Sequence, residues 1–209
     1  MLSSVIPTGR RRMTGEARRE QILDVTHAIV DAEGFHAATP NRVAREAGVN
    51  RSLIYQQFGS PAGLFVALID REAGRAAAQF TAAITSTENP DAEGFLARVF
   101  DGVLRAADGH SATWRLFLFP PQGAPPELHE RLAGAEAAVR GFLGRELLRT
   151  MPDLPDPDYT ARIVAAVGRE LLQLRLSEPE QATPERLRAV LGSLELNAGS
   201  RSRRPMSRQ

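Results

Sequence analysis

The chain has 209 residues and no cysteine. Disulfides, thiol catalysis and cysteine-ligated metals are therefore excluded, and the composition suits a cytosolic protein. Lysine is absent too, so all 26 basic residues are arginine, set against 25 acidic ones. The resulting net charge of +1 makes no global claim about partners, and the placement of charge matters more. No apolar run approaches the roughly 20 residues of a membrane span. The few apolar residues near the start precede the arginines, the reverse of a secretory signal. A glycine-rich phosphate loop, His-Glu-x-x-His and Gly-x-Ser-x-Gly are all missing. His27, His36, His110 and His129 are scattered without metal-ligand spacing. The carboxylates mostly stand at helix starts or beside arginines, as solvated ion-pairing faces do. No catalytic residue, metal site or cofactor is expected. Neither an internal repeat nor a period-2 strand pattern occurs, so the expected fold class is all-α, with about nine helices.

What is present centres on residues 39–64. Thr39 is an N-cap and Pro40 suits the first helical position. Val43, Ala44 and Ala47 then recur at helical spacing until Gly48, where a left-handed residue stops the helix at little steric cost. Asn50 caps a second short helix whose apolar edge is Leu53, Ile54 and Phe58. Its remaining positions, Arg51, Ser52, Tyr55, Gln56 and Gln57, are polar or amphipathic. This is the layout of a helix-turn-helix, whose second helix enters the DNA major groove. Arginine bonds guanine O6 and N7, glutamine bonds adenine N6 and N7, and hydroxyls reach phosphates. No acidic residue between Glu46 and Asp70 repels a phosphate backbone. The alternative is a surface helix with an ordinary polar face.

The run Val43-Ala44-Arg45-Glu46-Ala47-Gly48-Val49-Asn50-Arg51-Ser52-Leu53-Ile54-Tyr55-Gln56-Gln57-Phe58-Gly59-Ser60 resembles the DNA-binding signature of the TetR family of transcriptional regulators. Members show an Ala-Gly-Val turn, a small capping residue, and a Leu-Tyr pair shortly before a Phe. Here Ile54-Tyr55 and Phe58 take those places. The segment Gly34-Phe35-His36-Ala37-Ala38-Thr39 is similar to that family's link between its first two helices. The likeness covers about the first quarter of the chain. One departure stands out: the family often has Lys after the Ser that opens the fourth helix, where it meets a phosphate, and this chain has Pro61.

Before that core, Arg10, Arg11, Arg12, Arg18 and Arg19 cluster with only Glu16 among them, which reads as a phosphate-binding arm or a solvated tail. Thr14 caps a first helix carrying Ile22, Val25, Ile29 and Val30 to Gly34. Ser60-Pro61 opens a fourth helix, with Leu64, Phe65, Leu68 and Ile69, that runs to about Ala83 and links the reading head to the rest of the chain. Asn89-Pro90 marks a turn. Next come a helix with Phe95, Phe100, Val103 and Leu104 closed by Gly109, and a short buried helix around Thr113–Phe119. A proline-rich loop leads to a long helix over 127–151 with Leu128, Leu132, Ala135, Val139, Phe142, Leu143 and Leu147 inward. Asp156-Pro157 and Thr183-Pro184 cap the last two helices. The expected division is a three-helix DNA-binding domain over 13–60, a helical ligand-binding and dimerisation domain over 61–197, and disordered tails at 1–12 and 198–209.

The expected function is that of a ligand-responsive, DNA-binding transcriptional regulator, a repressor that binds a palindromic operator as a dimer. Double-stranded DNA is the expected partner, through Thr39, Arg42, Asn50, Arg51, Ser52, Tyr55, Gln56 and Gln57. A helix-turn-helix monomer contacts few bases, so specific binding needs two half-sites on a two-fold axis. Ala165, Gly168, Leu172, Leu187, Leu191 and Leu194 form the face suited to a homodimer through the last two helices. A monomer burying that face internally is the alternative. The resemblance implies a small-molecule effector among the middle helices, with Phe95, Phe100, His110, Trp114, Arg115 and Phe117 as the lining to watch. No membrane partner is expected. The competing reading is a helical small-molecule- or partner-binding module with weak or lost DNA binding, for which Pro61 is the support.

Overall fold

The computed structural model describes residues 13–85 and 94–201, apart from the side chains at 95 and 194–201. Arg10, Arg11, Arg12, the Asn89-Pro90 turn and the end of the carboxy-terminal tail lie outside the described residues, as do the side chains of Phe95, Leu194 and Leu196. The described residues form nine α-helices: α1 Gly15–Glu33, α2 Pro40–Ala47, α3 Arg51–Phe58, α4 Pro61–Thr85, α5 Phe95–Gly109, α6 Ser111–Leu118, α7 Pro126–Thr150, α8 Pro157–Ser177 and α9 Pro184–Arg201. A 3₁₀ turn, Phe35–Ala37, joins α1 to α2. The all-α expectation holds. Helix α9 continues through 198–201, where a tail is expected from sequence.

The helix starts follow from side-chain chemistry. Thr14 Oγ1 accepts the Ala17 N–H at 3.1 Å, and Ser60 Oγ accepts that of Gly63 at 3.0 Å. Asp156 Oδ1 accepts the Tyr159 N–H at 3.0 Å and Thr183 Oγ1 that of Arg186 at 3.4 Å. Each satisfies a donor that the helix leaves orphaned, which stabilises it by about 1 kcal/mol.

The chain divides into two compact units, Met1–Leu68 and Ile69–Gln209, with the boundary inside α4. The first unit is built on Ile22, Leu23, Ile29, Val30, Phe35, Val43, Ile54, Leu64 and Leu68, all nearly or fully buried. Each contributes roughly 1.5–3 kcal/mol by leaving water. Phe35 packs edge-on against Phe65, with ring centroids 5.1 Å apart.

The second unit has one core of Val99, Phe100, Val103, Leu104, Leu171, Leu172 and Leu187, and another of Leu143, Leu147 and Ala161 between α7 and α8. Helices α4 and α5 approach closely at Gly102, where a Cβ would lie 2.8 Å from that of Ala83. A polar knot ties α6 to α4. Glu72 is fully buried; its Oε1 accepts from Arg71 Nε at 2.9 Å and Arg75 Nη1 at 3.0 Å, and its Oε2 accepts from Thr113 Oγ1 at 2.5 Å. Trp114 Nε1 donates to Gln79 Oε1 at 2.7 Å.

Some expected faces turn out differently. Leu172 and Leu187, assigned from sequence to a subunit interface, lie in the unit's own core. Ala135 is exposed although the apolar spacing of α7 places it inward. Helix α6 is mostly half-buried, and Phe119, just beyond it, is 39% exposed. In each case a broad apolar stripe shows only that some face is covered, while the neighbouring helices decide which one.

Candidate nucleic-acid interface

The turn between α2 and α3 is set by Gly48, at φ 62° and ψ 36°, a left-handed conformation that side chains with a Cβ disfavour. Its N–H closes α2 by bonding the Arg45 carbonyl at 3.3 Å. Asn50 then restarts the chain: its Oδ1 accepts from the Ser52 N–H at 3.0 Å and from Ser52 Oγ at 3.1 Å. Thr39 plays the same part for α2, accepting the Arg42 N–H at 3.4 Å.

In α3, Ile54 is 1% exposed and anchors the helix, with Leu53 and Phe58 half-buried beside it. Arg51, Ser52 and Gln56 are exposed, while Tyr55 and Gln57 are half-buried. The Arg51 guanidinium donates to the Tyr55 hydroxyl at 2.9 Å and lies 5.3 Å from the centroid of its ring. The two side chains thus form one donor-rich group at the amino-terminal half of the helix.

Three further residues brace this helix pair. The sequence groups Arg19 with a phosphate arm. Instead its Nη1 donates to the Gln57 carbonyl at 2.8 Å, and its guanidinium sits 4.4 Å from the Phe58 ring centroid. Gln21 Nε2 donates to the Ala47 carbonyl at 3.1 Å. Helix α1 therefore caps the carboxy-terminal ends of both α2 and α3, and neither role leaves a trace in sequence spacing. Arg42, expected at the DNA, is gripped by Glu33 at 2.5 and 2.8 Å and by Glu46 at 2.8 Å, tying α1 to α2.

That clamp has a pH signature. The Arg42 guanidinium holds the Glu33 carboxyl below its ordinary value of 4.5. A carboxyl with a depressed folded-state pKa stabilises the fold fully above its unfolded pKa, and the contribution fades as pH falls through the folded one. Thermal melts of wild type and Glu33→Gln should therefore converge below the ordinary carboxylate range and separate at neutral pH. The separation should be small and shrink with salt, because both side chains are partly exposed. A constant separation across the acid range would assign Glu33 a role other than charge pairing.

The predicted effector residues lie in the second unit. Phe100 is buried in the core, Trp114, Arg115 and Phe117 are half-buried, and His110 is exposed at the junction of α5 and α6. Trp114 packs against the same core as Phe100. Phe95 has no described side chain.

Two short helices crossed at a tight left-handed turn, buttressed by a third, with the outer side of the second polar and open, define a helix-turn-helix DNA-binding domain. Residues 22–68 match the sequence profile described as bacterial regulatory proteins, tetR family. The transcriptional repressor KstR of Rhodococcus jostii (strain RHA1) is 28% identical over 198 residues, 90% of this chain and 86% of KstR. The transcriptional activator FasR of Mycolicibacterium smegmatis (strain ATCC 700084 / mc(2)155) is 30% identical over 79 residues, which span 37% of this chain and only 36% of FasR. A TetR-like transcriptional regulator from Rhodococcus sp. RHA1 superposes with a TM-score of 0.67 at 20% identity, covering 85% of this chain and 95% of that one. Residues 22–68 are thus similar to the TetR family of bacterial regulatory proteins, and the chain shares over most of its length the fold of a TetR-like regulator.

Proposed function

We propose that this protein is a homodimeric, effector-responsive repressor. It binds a partly palindromic operator by placing α3 of each copy in successive major grooves. The observation that carries the reading is the outward polar side of α3, with Arg51, Ser52 and Gln56 exposed opposite a fully anchored Ile54. Arg51 and Gln56 supply base-edge donors, with Tyr55 and Gln57 beside them. Thr39, Asn50 and Ser52 stand at the starts of α2 and α3, where unpaired N–H groups and the helix dipole favour phosphate. Arg42 acts by positioning α2. Repression is favoured over activation because the relative matched along most of the chain, KstR, is named a repressor.

Operator affinity of Tyr55→Ala and Gln56→Ala tests the assignment. Each should weaken binding by ~1–3 kcal/mol for every base-edge hydrogen bond removed and relax sequence preference at one position. Wild-type affinity and preference in the double variant would remove α3 as the reading helix. Pro61 in place of a lysine favours the competing reading of weakened DNA binding, yet one missing phosphate partner alters the salt slope by only about 0.9.

Dimerisation is supported by apolar side chains left open on α8 and α9: Tyr159 at 66%, Ile163 at 63% and Val190 at 43% exposure. These replace the Leu172 and Leu187 of the expected interface. The effector would be held in the second unit, with Trp114, Arg115 and Phe117 as the lining to test first. It releases DNA only if it binds the non-operator conformation more tightly than the operator-bound one. The chemistry of the chain fits a cytoplasmic regulator with neither catalytic residues nor a bound cofactor.

A further inference from the structure

Between α7 and α8, in the second unit, lies a groove of about 350 Å³ lined by Arg140, Gly141, Gly144, Arg145, Asp158 and Arg162, with Leu148 and Ala161 at its apolar edge. Three arginines and one aspartate therefore line the same recess. Arg140 is only loosely engaged, by Glu136 at 3.6 Å. Arg162 lies 5.7 Å from the centroid of the Tyr159 ring, and among the described residues neither it nor Arg145 has a carboxylate partner. Unpaired like charges gathered in one recess repel one another and are relieved by an anion.

The floor of the groove adds an independent observation. Gly141 and Gly144 are one turn apart inside a long helix, where glycine is unfavourable relative to alanine. Packing does not demand either. A Cβ at Gly144 would meet Ala161 at an ordinary 4.0 Å, and one at Gly141 would meet only Arg145 Nη1, at 3.5 Å. The guanidinium of Arg145 lies over the bare backbone of Gly141. Both glycines line the recess, and no contact within the chain requires either of them.

We infer that this groove is a binding site for a small phosphate-bearing anion. Guanidinium forks match phosphate oxygens in bidentate geometry, three of them suit a di- or polyanion, and Asp158 is placed to accept a hydrogen bond from a hydroxyl on the same molecule. The volume is that of a small-ligand site, and a recess between two packed helices admits a compact ligand more readily than a DNA duplex.

The test uses the full-length protein and inorganic pyrophosphate, with sulfate and citrate at matched ionic strength. Calorimetric titration should show saturable pyrophosphate binding at least tenfold tighter than sulfate or citrate. Arg145→Gln with Arg162→Gln should weaken it by tenfold or more, and Gly141→Leu, whose Cβ meets only the movable end of Arg145, should abolish it. Melting temperature in the absence of anion shows that each variant is folded. Equal binding of sulfate, or undiminished pyrophosphate binding in the folded double variant, would overturn the site. Two further outcomes would also overturn it. If the double variant lowers the salt slope of operator binding, the arginines contact DNA phosphates. If it changes the sedimentation state without anion, the groove is a contact between copies.

Discussion

Gly63→Ala is expected to destabilise the first unit and to lower operator affinity at least tenfold, whereas Gly74→Ala, farther along the same helix, stabilises. Both positions are helical, and on propensity alone alanine gains about 0.5–1 kcal/mol at either. The surroundings reverse the sign at one of them. A Cβ on Gly74 meets nothing within 4 Å, while one on Gly63 would sit 2.1 Å from the Phe58 carbonyl oxygen. That oxygen belongs to the last residue of α3, so relief requires the end of α3 and the start of α4 to separate. Overpacking of this kind typically costs about 1–3 kcal/mol. The shift would also pull on the neighbouring Gln57 carbonyl, which Arg19 holds. Equilibrium unfolding of both variants, with anisotropy titrations on an operator duplex, checks the contrast. Equal stability changes of the same sign would mean that α3 and α4 have slack at their corner.

Glu72→Ala is expected to cost roughly 3–5 kcal/mol, the range for breaking a buried pair by removing one partner. The carboxylate is fully buried and three donors converge on it, one of them on α6. Its removal takes the acceptor from Arg71, whose side chain is only 10% exposed, and from the Thr113 hydroxyl. Thr113→Val deletes a single donor and should cost about 1–3 kcal/mol. The double variant Glu72→Leu with Thr113→Val should lose less than the sum of the corresponding single variants, because the two groups satisfy each other. Chemical denaturation of the four proteins in that cycle gives the coupling directly. Strict additivity would show that the 2.5 Å hydrogen bond adds nothing between α4 and α6.

The reading unit is legible in the sequence to an unusual degree because its rules are local. Thr39 before Pro40, Gly48 at the turn and Asn50 before α3 act through atoms two to four residues away, so their order in the chain nearly defines their geometry. Ile54 as the anchor of α3 follows from helical periodicity in the same way. The second unit is less legible. The apolar residues of α7 and α8 identify helices, but Ile163 faces outward and Leu172 inward by virtue of which neighbours they meet. Periodicity carries no information about that choice.

The amino-acid order alone thus determined the all-α fold class, the position of the turn and the helix whose outward side is polar. Each depends on caps, glycine conformation and spacing within a turn or two. Only the tertiary structure decided that Arg19 and Arg42 brace the reading helices, that Gly63 is sterically required, that Glu72 is a buried hub and that three arginines share one groove. Those contacts join residues as far as 41 positions apart. Side chains brought together by packing over such separations leave no periodic mark in the sequence that encodes them.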